Sequence, residues 1–129
     1  MRLLLDTHVW LWMIAEPERF RAEMAAMLEN PANDLLLSSA SSWEIAIKHS
    51  LGKLPLPAPA EKYVPEQIAK TGVTPLPIEH SHALRVGALP SHHRDPFDRL
   101  LVAQAQLEGV TLVTADRQFA PYGIPVEWA

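Results

Sequence analysis

Three apolar runs, Arg2–Leu5, Leu35–Leu37 and Thr111–Thr114, carry no alternation of apolar and polar residues. A strand with one face in water alternates, so an unbroken run of this length predicts a strand covered on both faces, as in a parallel sheet packed between helices. Helical patterns fill the intervals. Val9–Ile14 is one, and Glu18–Glu29 is a second, in which Phe20, Met24, Met27 and Leu28 recur at helical spacing behind Pro17 and before Asn30-Pro31. A third, with Trp43, Ile45, Ala46 and Ile47, follows the serine cluster Ser38–Ser42. Leu51–Pro59, with prolines at 55, 57 and 59, predicts an extended surface crossing, and Glu61–Lys70 a further helix. Val73–Leu76 is a strand that Pro75 restricts to an edge. Glu79–Val86 is a short helix, and Asp95-Pro96-Phe97-Asp98 opens an apolar helix through Leu107 that Gly109 closes. Val126–Trp128 supplies a last strand. The expected fold is α/β, with a mainly parallel sheet of about five short strands flanked by helices. One domain over residues 1–129 is expected, since 48% of the chain is hydrophobic and neither side of the proline-rich crossing is long enough to fold alone.

The chain has no cysteine, which removes disulfides, thiolate zinc sites and cysteine nucleophiles. Any metal must be held by oxygen or imidazole. Asp6 and His8 interrupt the apolar N-terminal stretch, so Met1–Ile14 reads as folded structure and not as a signal peptide. No apolar run approaches the roughly 20 residues of a membrane helix, and a cytoplasmic setting is expected. The formal charge of −4 argues at first sight against a nucleic-acid surface.

The position of the acids redirects that argument. Asp6 follows the first strand, Glu44 lies just inside the helix after the second, and Asp116 follows Thr111–Thr114. In a parallel sheet the carboxyl ends of the strands share one edge, where α/β proteins bind ligands, so these acids should converge. Asp98, in the first turn of the helix before the last of these strands, is a fourth. Crowded carboxylates raise one another's pKa unless a cation neutralises them, and an oxygen-only set favours Mg²⁺ or Mn²⁺. Such a centre activates water and stabilises charge on a phosphodiester. Each acid also has a plainer reading. Asp95 and Asp98 have capping-box spacing, as do Ser41 and Glu44; Asp6 is placed to cap a helix, and Asp116 to form an Asx-turn.

Leu3-Leu4-Leu5-Asp6-Thr7-His8, Ser41-Ser42-Trp43-Glu44-Ile45, the stretch from Asp95 to Ala105, and Thr111-Leu112-Val113-Thr114-Ala115-Asp116 together resemble the acidic motifs of PIN-domain ribonucleases, in particular the VapC-type toxins of prokaryotic toxin-antitoxin pairs. The resemblance covers nearly the whole chain in the right order. It implies a metal-dependent endoribonuclease in which Asp6, Glu44, Asp98 and Asp116 surround one or two Mg²⁺ or Mn²⁺ ions, and metal-activated water hydrolyses RNA to a 5′-phosphate and a 3′-hydroxyl. Aligned on Gly109–Thr114, the family's third acid falls on Asp98, leaving Asp95 as helix cap or support. Thr7 and Thr114 are placed to orient carboxylates or water. The resemblance also implies a small antitoxin that occupies the active-site groove.

The remaining polar residues read less sharply. His80, His82, His92 and His93 lack the spacing of a zinc helix. His92, His93 and Arg94 form a polar loop beside the proposed site, open to substrate contact or to solvent alone, and Lys48, His49 and Lys53 carry the same ambiguity. Arg99 is placed to meet phosphate or to pair with Asp95. Trp10, Trp12 and Trp43 are expected to pack. The N-terminal helices carry enough apolar surface for a homodimer or an antitoxin contact. A haloacid-dehalogenase phosphatase would need an acid where His8 stands. A receiver domain would need paired acids after its first strand. The competing reading is a catalytically inactive PIN-like module that binds RNA or protein. Setting Asp6, Glu44, Asp98 and Asp116 aside leaves the rest of the chain formally neutral, so the acidity is localised and metal-free RNA binding should be weak.

Overall fold

A computed structural model describes residues 1–129. The strands are β1 (Arg2–Leu5), β2 (Asp34–Ser38), β3 (Thr74–Leu76), β4 (Thr111–Thr114) and β5 (Val126–Trp128). The helices are α1 (Thr7–Ala15), α2 (Ala22–Glu29), α3 (Ser39–Ser50), α4 (Ala60–Thr71), α5 (His80–Val86) and α6 (Pro96–Glu108). All strand pairs are parallel, in the order β3-β2-β1-β4-β5. No helix is long and apolar enough to cross a membrane.

The central strand shows why the apolar runs do not alternate. Leu3, Leu4 and Leu5 have no exposed surface at all. Leu4, in register with Leu36 and Leu112, packs into a core shared with Leu101, Val102 and Ala105 of α6 and with Phe119. Leu3 and Leu5 point to the other face, with Val9 and Trp10 of α1, Met24 and Leu28 of α2, Ile45 of α3 and Val64 of α4. Each fully buried leucine contributes about 1.5–3 kcal/mol, and both faces are needed to cover one strand.

Several boundaries differ from the sequence pattern. Residues 18–29 do not form one helix: Pro17–Arg19 makes a 3₁₀ turn, Phe20 and Arg21 are extended, and α2 begins at Ala22. The break lets Phe20 set its ring edge-on to Trp12 at 6.2 Å while Arg19 lies over the same indole at 4.9 Å. Helix α3 begins inside the serine cluster, capped by Ser38, whose Oγ accepts from the Ala40 N–H at 3.0 Å. Ser41 is therefore an interior helical residue and not a cap. Trp10 and Trp12 pack as expected, but Trp43 is 52% exposed and meets Phe97 edge-on at 4.9 Å. Pro75 sits on the edge strand β3, opposite Leu37, where its missing N–H costs no ladder bond on the outer side.

The chain leaves β1 toward β2 on one side and returns to β4 on the other. The point where strand order reverses lies between β1 and β4, so a crevice opens beyond their carboxyl ends.

Candidate active site

Asp6 stands at that crevice. Its backbone N–H extends the β1–β4 ladder to the Val113 carbonyl at 2.9 Å, which fixes the residue before α1 starts. The side chain makes no cap bond to α1. Instead one carboxylate oxygen accepts from the Thr114 hydroxyl at 2.8 Å, and Thr114 Oγ1 in turn accepts from the Asp116 N–H at 3.0 Å. Thr114 thus holds two of the acids in relation to each other, as its sequence position suggested. Thr7 does not touch a carboxylate through its hydroxyl, which donates to Ser41 Oγ at 2.9 Å and ties α1 to α3.

Glu44, buried on α3, pairs with Lys48 one turn on. The capping-box reading of Ser41 and Glu44 therefore falls away. Asp95 is the cap of α6: its Oδ1 accepts from the N–H groups of Phe97 at 2.8 Å and Asp98 at 3.4 Å. That frees the Asp98 side chain, which is 9% exposed and meets His93 Nε2 at 2.9 Å. Asp116 does two things at once. Its Oδ1 accepts from the Gln118 N–H at 2.9 Å as the start of a 3₁₀ turn, and its Oδ2 lies 3.3 Å from the same His93 nitrogen.

The electrostatics show how closely the acids converge. Burial, then repulsion from Asp6, Asp95, Glu44 and Asp116, pushes the Asp98 carboxyl up to about 8. Burial also raises Asp6, with Glu44 adding to the effect and the Thr114 hydrogen bond opposing it. Lys48 is raised by its contact with Glu44 and feels Asp95 and Asp98 as well. The structure therefore brings all four predicted acids into one field, with Lys48 as the nearby counter-charge. Asp6, Glu44, Asp98 and Asp116 offer a donor set of carboxylate oxygens, which suits a hard divalent cation that would relieve their mutual repulsion. One ligand atom from each of His93, Asp98 and Asp116 lies within 4.8 Å of the other two.

A cleft of about 250 Å³ leads away from Glu44, lined by Thr7, His8, Leu11, Lys48, Lys53 and Leu54. Lys48 and Lys53 supply its positive charge. Arg94 is exposed nearby. Arg99 neither pairs with Asp95 through its side chain nor faces the crevice: its guanidinium donates to the carbonyls of Val86, Leu89, Pro90 and His93 and to Tyr122 Oη. His49 is held by the Leu54 carbonyl at 2.8 Å.

His93 is the residue that sequence reasoning left undecided between substrate contact and solvated loop. It is 8% exposed and part of the site. Its burial comes from Tyr122, which accepts its backbone N–H at 2.8 Å, and from Asp98 and Asp116, so no local pattern marks it.

The sequence profile of the PIN domain matches residues 3–124. Ribonuclease VapC22 of Mycobacterium tuberculosis (strain ATCC 25618 / H37Rv) is 33% identical over 127 residues, which cover 95% of this chain and 93% of that protein. Ribonuclease VapC16 of the same strain is 47% identical over 60 residues, a match that spans 46% of this chain and 43% of the relative. Among solved structures, VapBC2 from Rickettsia felis bound to a promoter DNA fragment gives a TM-score of 0.73 at 17% identity, covering 99% of this chain and 98% of that one. DNA-bound VapBC from Salmonella typhimurium gives 0.71 at 21% identity over 99% and 98%. At these identities the structural likeness is one of fold.

Proposed function

The chain belongs to the PIN-domain family, and from that premise we propose that it is the toxin of a toxin-antitoxin pair, a Mg²⁺- or Mn²⁺-dependent endoribonuclease acting through one PIN domain over residues 1–129. The observation that carries this reading is the convergence of Asp6, Glu44, Asp98 and Asp116 at the point where strand order reverses, with Asp98 pushed up to about 8 by burial and then by repulsion from the other acids. A divalent cation bound by these carboxylates supplies the charge that polarises the scissile phosphate and acidifies water.

The chain's own residues do the rest. Thr114 and the Asp6 ladder bond fix the first acid against the sheet, while α3 and α6 carry Glu44 and Asp98 within electrostatic reach of it. Lys48 neutralises Glu44 in the metal-free protein and is placed, with Lys53, to meet RNA phosphate along the cleft. Arg94 adds charge at the rim. Without the cation the acids repel RNA, so substrate binding and metal binding are coupled.

The VapBC complexes among the structural relatives support a small antitoxin as the partner. Exposed Trp43, Ile47 and Leu51, at four-residue steps, support a homodimer. The cellular setting that goes with this activity is the cytoplasm, where its RNA lies.

The test is cleavage of transfer, ribosomal and messenger RNA by the purified protein with Mg²⁺ or Mn²⁺ against EDTA. Metal-dependent cutting that leaves 5′-phosphates, and that Asp6→Asn abolishes, is expected. No metal-dependent cutting of any of these RNAs, together with no metal binding that Asp6→Asn removes, would overturn the proposal. Co-expression of the adjacent small gene product should relieve growth arrest, and arrest that persists with the partner tightly bound would contradict the antitoxin assignment.

A further inference from the structure

Resting on that reading, we propose that His93 is a positioning residue of the metal centre. Its Nε2–H spans Asp98 and Asp116 and sets the directions in which they present their remaining lone pairs, without itself binding the cation.

The placement of His93 is over-determined. Its backbone N–H donates to Tyr122 Oη at 2.8 Å, and its carbonyl accepts from Arg99 at 3.3 Å. Arg99 fastens the same loop at the carbonyls of Val86, Leu89 and Pro90, from the position on α6 next to Asp98. The imidazole rests 5.6 Å from the Phe119 ring. The backbone at His93 is thus held at both its N–H and its carbonyl, and the side chain it carries faces two of the acids.

The tautomer decides what it can do there. His93 Nδ1 lies 3.1 Å from the Asp95 backbone nitrogen, which can only donate. Nδ1 therefore keeps its lone pair, and the proton of the neutral ring sits on Nε2. Nε2 is 2.9 Å from Asp98 Oδ2 and 3.3 Å from Asp116 Oδ2, so one N–H is shared between two carboxylates. The three ligand atoms are close enough to hold an ion together. An imidazole that binds metal through Nε2 must carry its proton on Nδ1, however, and usually donates it to an oxygen. Here that proton would meet the Asp95 N–H, at the residue that caps α6. Ligation by His93 would cost the bond that orients the loop; donation keeps it.

The experiment uses the full chain labelled with ¹⁵N-histidine, titrated with Mg²⁺, beside Mn²⁺ affinity and pulsed electron paramagnetic resonance of the Mn²⁺-loaded protein. His93 should keep its proton on Nε2 with and without Mg²⁺, and bound Mn²⁺ should show no imidazole nitrogen coupling. His93→Ala should weaken Mn²⁺ binding about tenfold or more. His93→Gln, whose amide N–H can reach the same carboxylates, should recover most of the loss. A proton that moves to Nδ1 on metal loading, an imidazole coupling to Mn²⁺, or unchanged Mn²⁺ affinity in folded His93→Ala would overturn the proposal. If His93→Ala does not fold, the tautomer and the coupling decide alone. A wild-type protein that takes up no Mn²⁺ would overturn the metal-centre reading and this one with it, whereas RNA cleavage by a protein with imidazole-ligated metal overturns this one only.

Discussion

Two buried histidines in this molecule use the same hydrogen-bonding device for different ends. His82 accepts the Glu79 N–H on Nδ1 at 2.9 Å and meets Glu108 with Nε2 at 2.8 Å. His93 accepts the Asp95 N–H on Nδ1 and meets Asp98 and Asp116 with Nε2. Both sit beside α6, at its two ends. Around His82 donor and acid match one to one: one imidazole faces one carboxylate that is a third exposed, and the Gln104 amide N–H donates to the Pro77 carbonyl at 3.2 Å, leaving Gln104 Oε1 as a buried oxygen without a partner. Around His93 they do not, because one N–H serves two carboxylates and Asp98 also faces Asp6, Asp95 and Glu44. A buried histidine on a carboxylate is therefore no functional signal by itself. The signal is a surplus of acids over the donors that could satisfy them.

The largest effect expected from this contrast is on catalysis. Asp98→Asn should lower RNA cleavage on the order of a thousandfold, the scale seen when an electrostatic catalytic group is removed, whereas Glu108→Gln should leave cleavage unchanged. Both are read from initial rates at saturating Mn²⁺. Equal losses would erase the distinction between the two ends of the helix.

The next effect has the opposite sign for stability. The folded-state pKa of Asp98 is raised to about 8, so between its unfolded value of 3.8 and that point the native state binds the extra proton. Stability of the metal-free protein should therefore fall as pH rises from 5 to 8, by about 2–3 kcal/mol once relaxation of the site is allowed for. Asp98→Asn should flatten that decline, and Mn²⁺ should offset it by binding the ionised form. Urea denaturation at both pH values, with EDTA or with Mn²⁺, measures all three. A metal-free wild type as stable at pH 8 as at pH 5 would contradict the crowding of the acids.

Smaller again, His82→Ala should cost about 2 kcal/mol by leaving buried hydrogen-bonding groups unpaired, with Mn²⁺ affinity unchanged. His93→Ala should show the reverse weighting. The smallest expected effect is that of Thr114→Val, about 1 kcal/mol for the lost hydroxyl bond to Asp6. Its mark should be a weaker Mn²⁺ site, read by calorimetry.

The strands and the acids were legible because their signals are local. An unbroken Leu3-Leu4-Leu5 run can be covered only on both faces, and an acid directly after such a strand lands on the shared edge whatever the helices do. Asp95-Pro96 and Gly109 mark the ends of α6 with chemistry that lies within a few residues. The misjudged residues depend on partners outside their own helical turn, some of them far along the chain. Phe20 breaks its helix for Trp12, Thr7 gives its hydroxyl to Ser41 and not to an acid, and Arg99 is consumed by carbonyls of residues 86–93. Trp43 is exposed because the face of α3 that packs on the sheet is marked by Ala40, Ser41, Glu44 and Ile45, a narrower stripe than its apolar residues suggested. His93 needed Tyr122, Arg99 and Asp116 to become a buried group, and these lie 29, 6 and 23 residues away.

The most direct measurement of the central claim compares the two histidines in one spectrum. Asp98 and Glu108 are about 15 Å apart along α6, so a paramagnetic ion among the acids affects the two imidazoles unequally. Substoichiometric Mn²⁺ added to ¹⁵N-histidine-labelled protein should broaden the His93 ring resonances first and most strongly, with His82 retained. Resonances of His82 lost before those of His93, or neither ring affected at saturating Mn²⁺, would contradict a metal centre at the edge formed by Asp6, Glu44, Asp98 and Asp116.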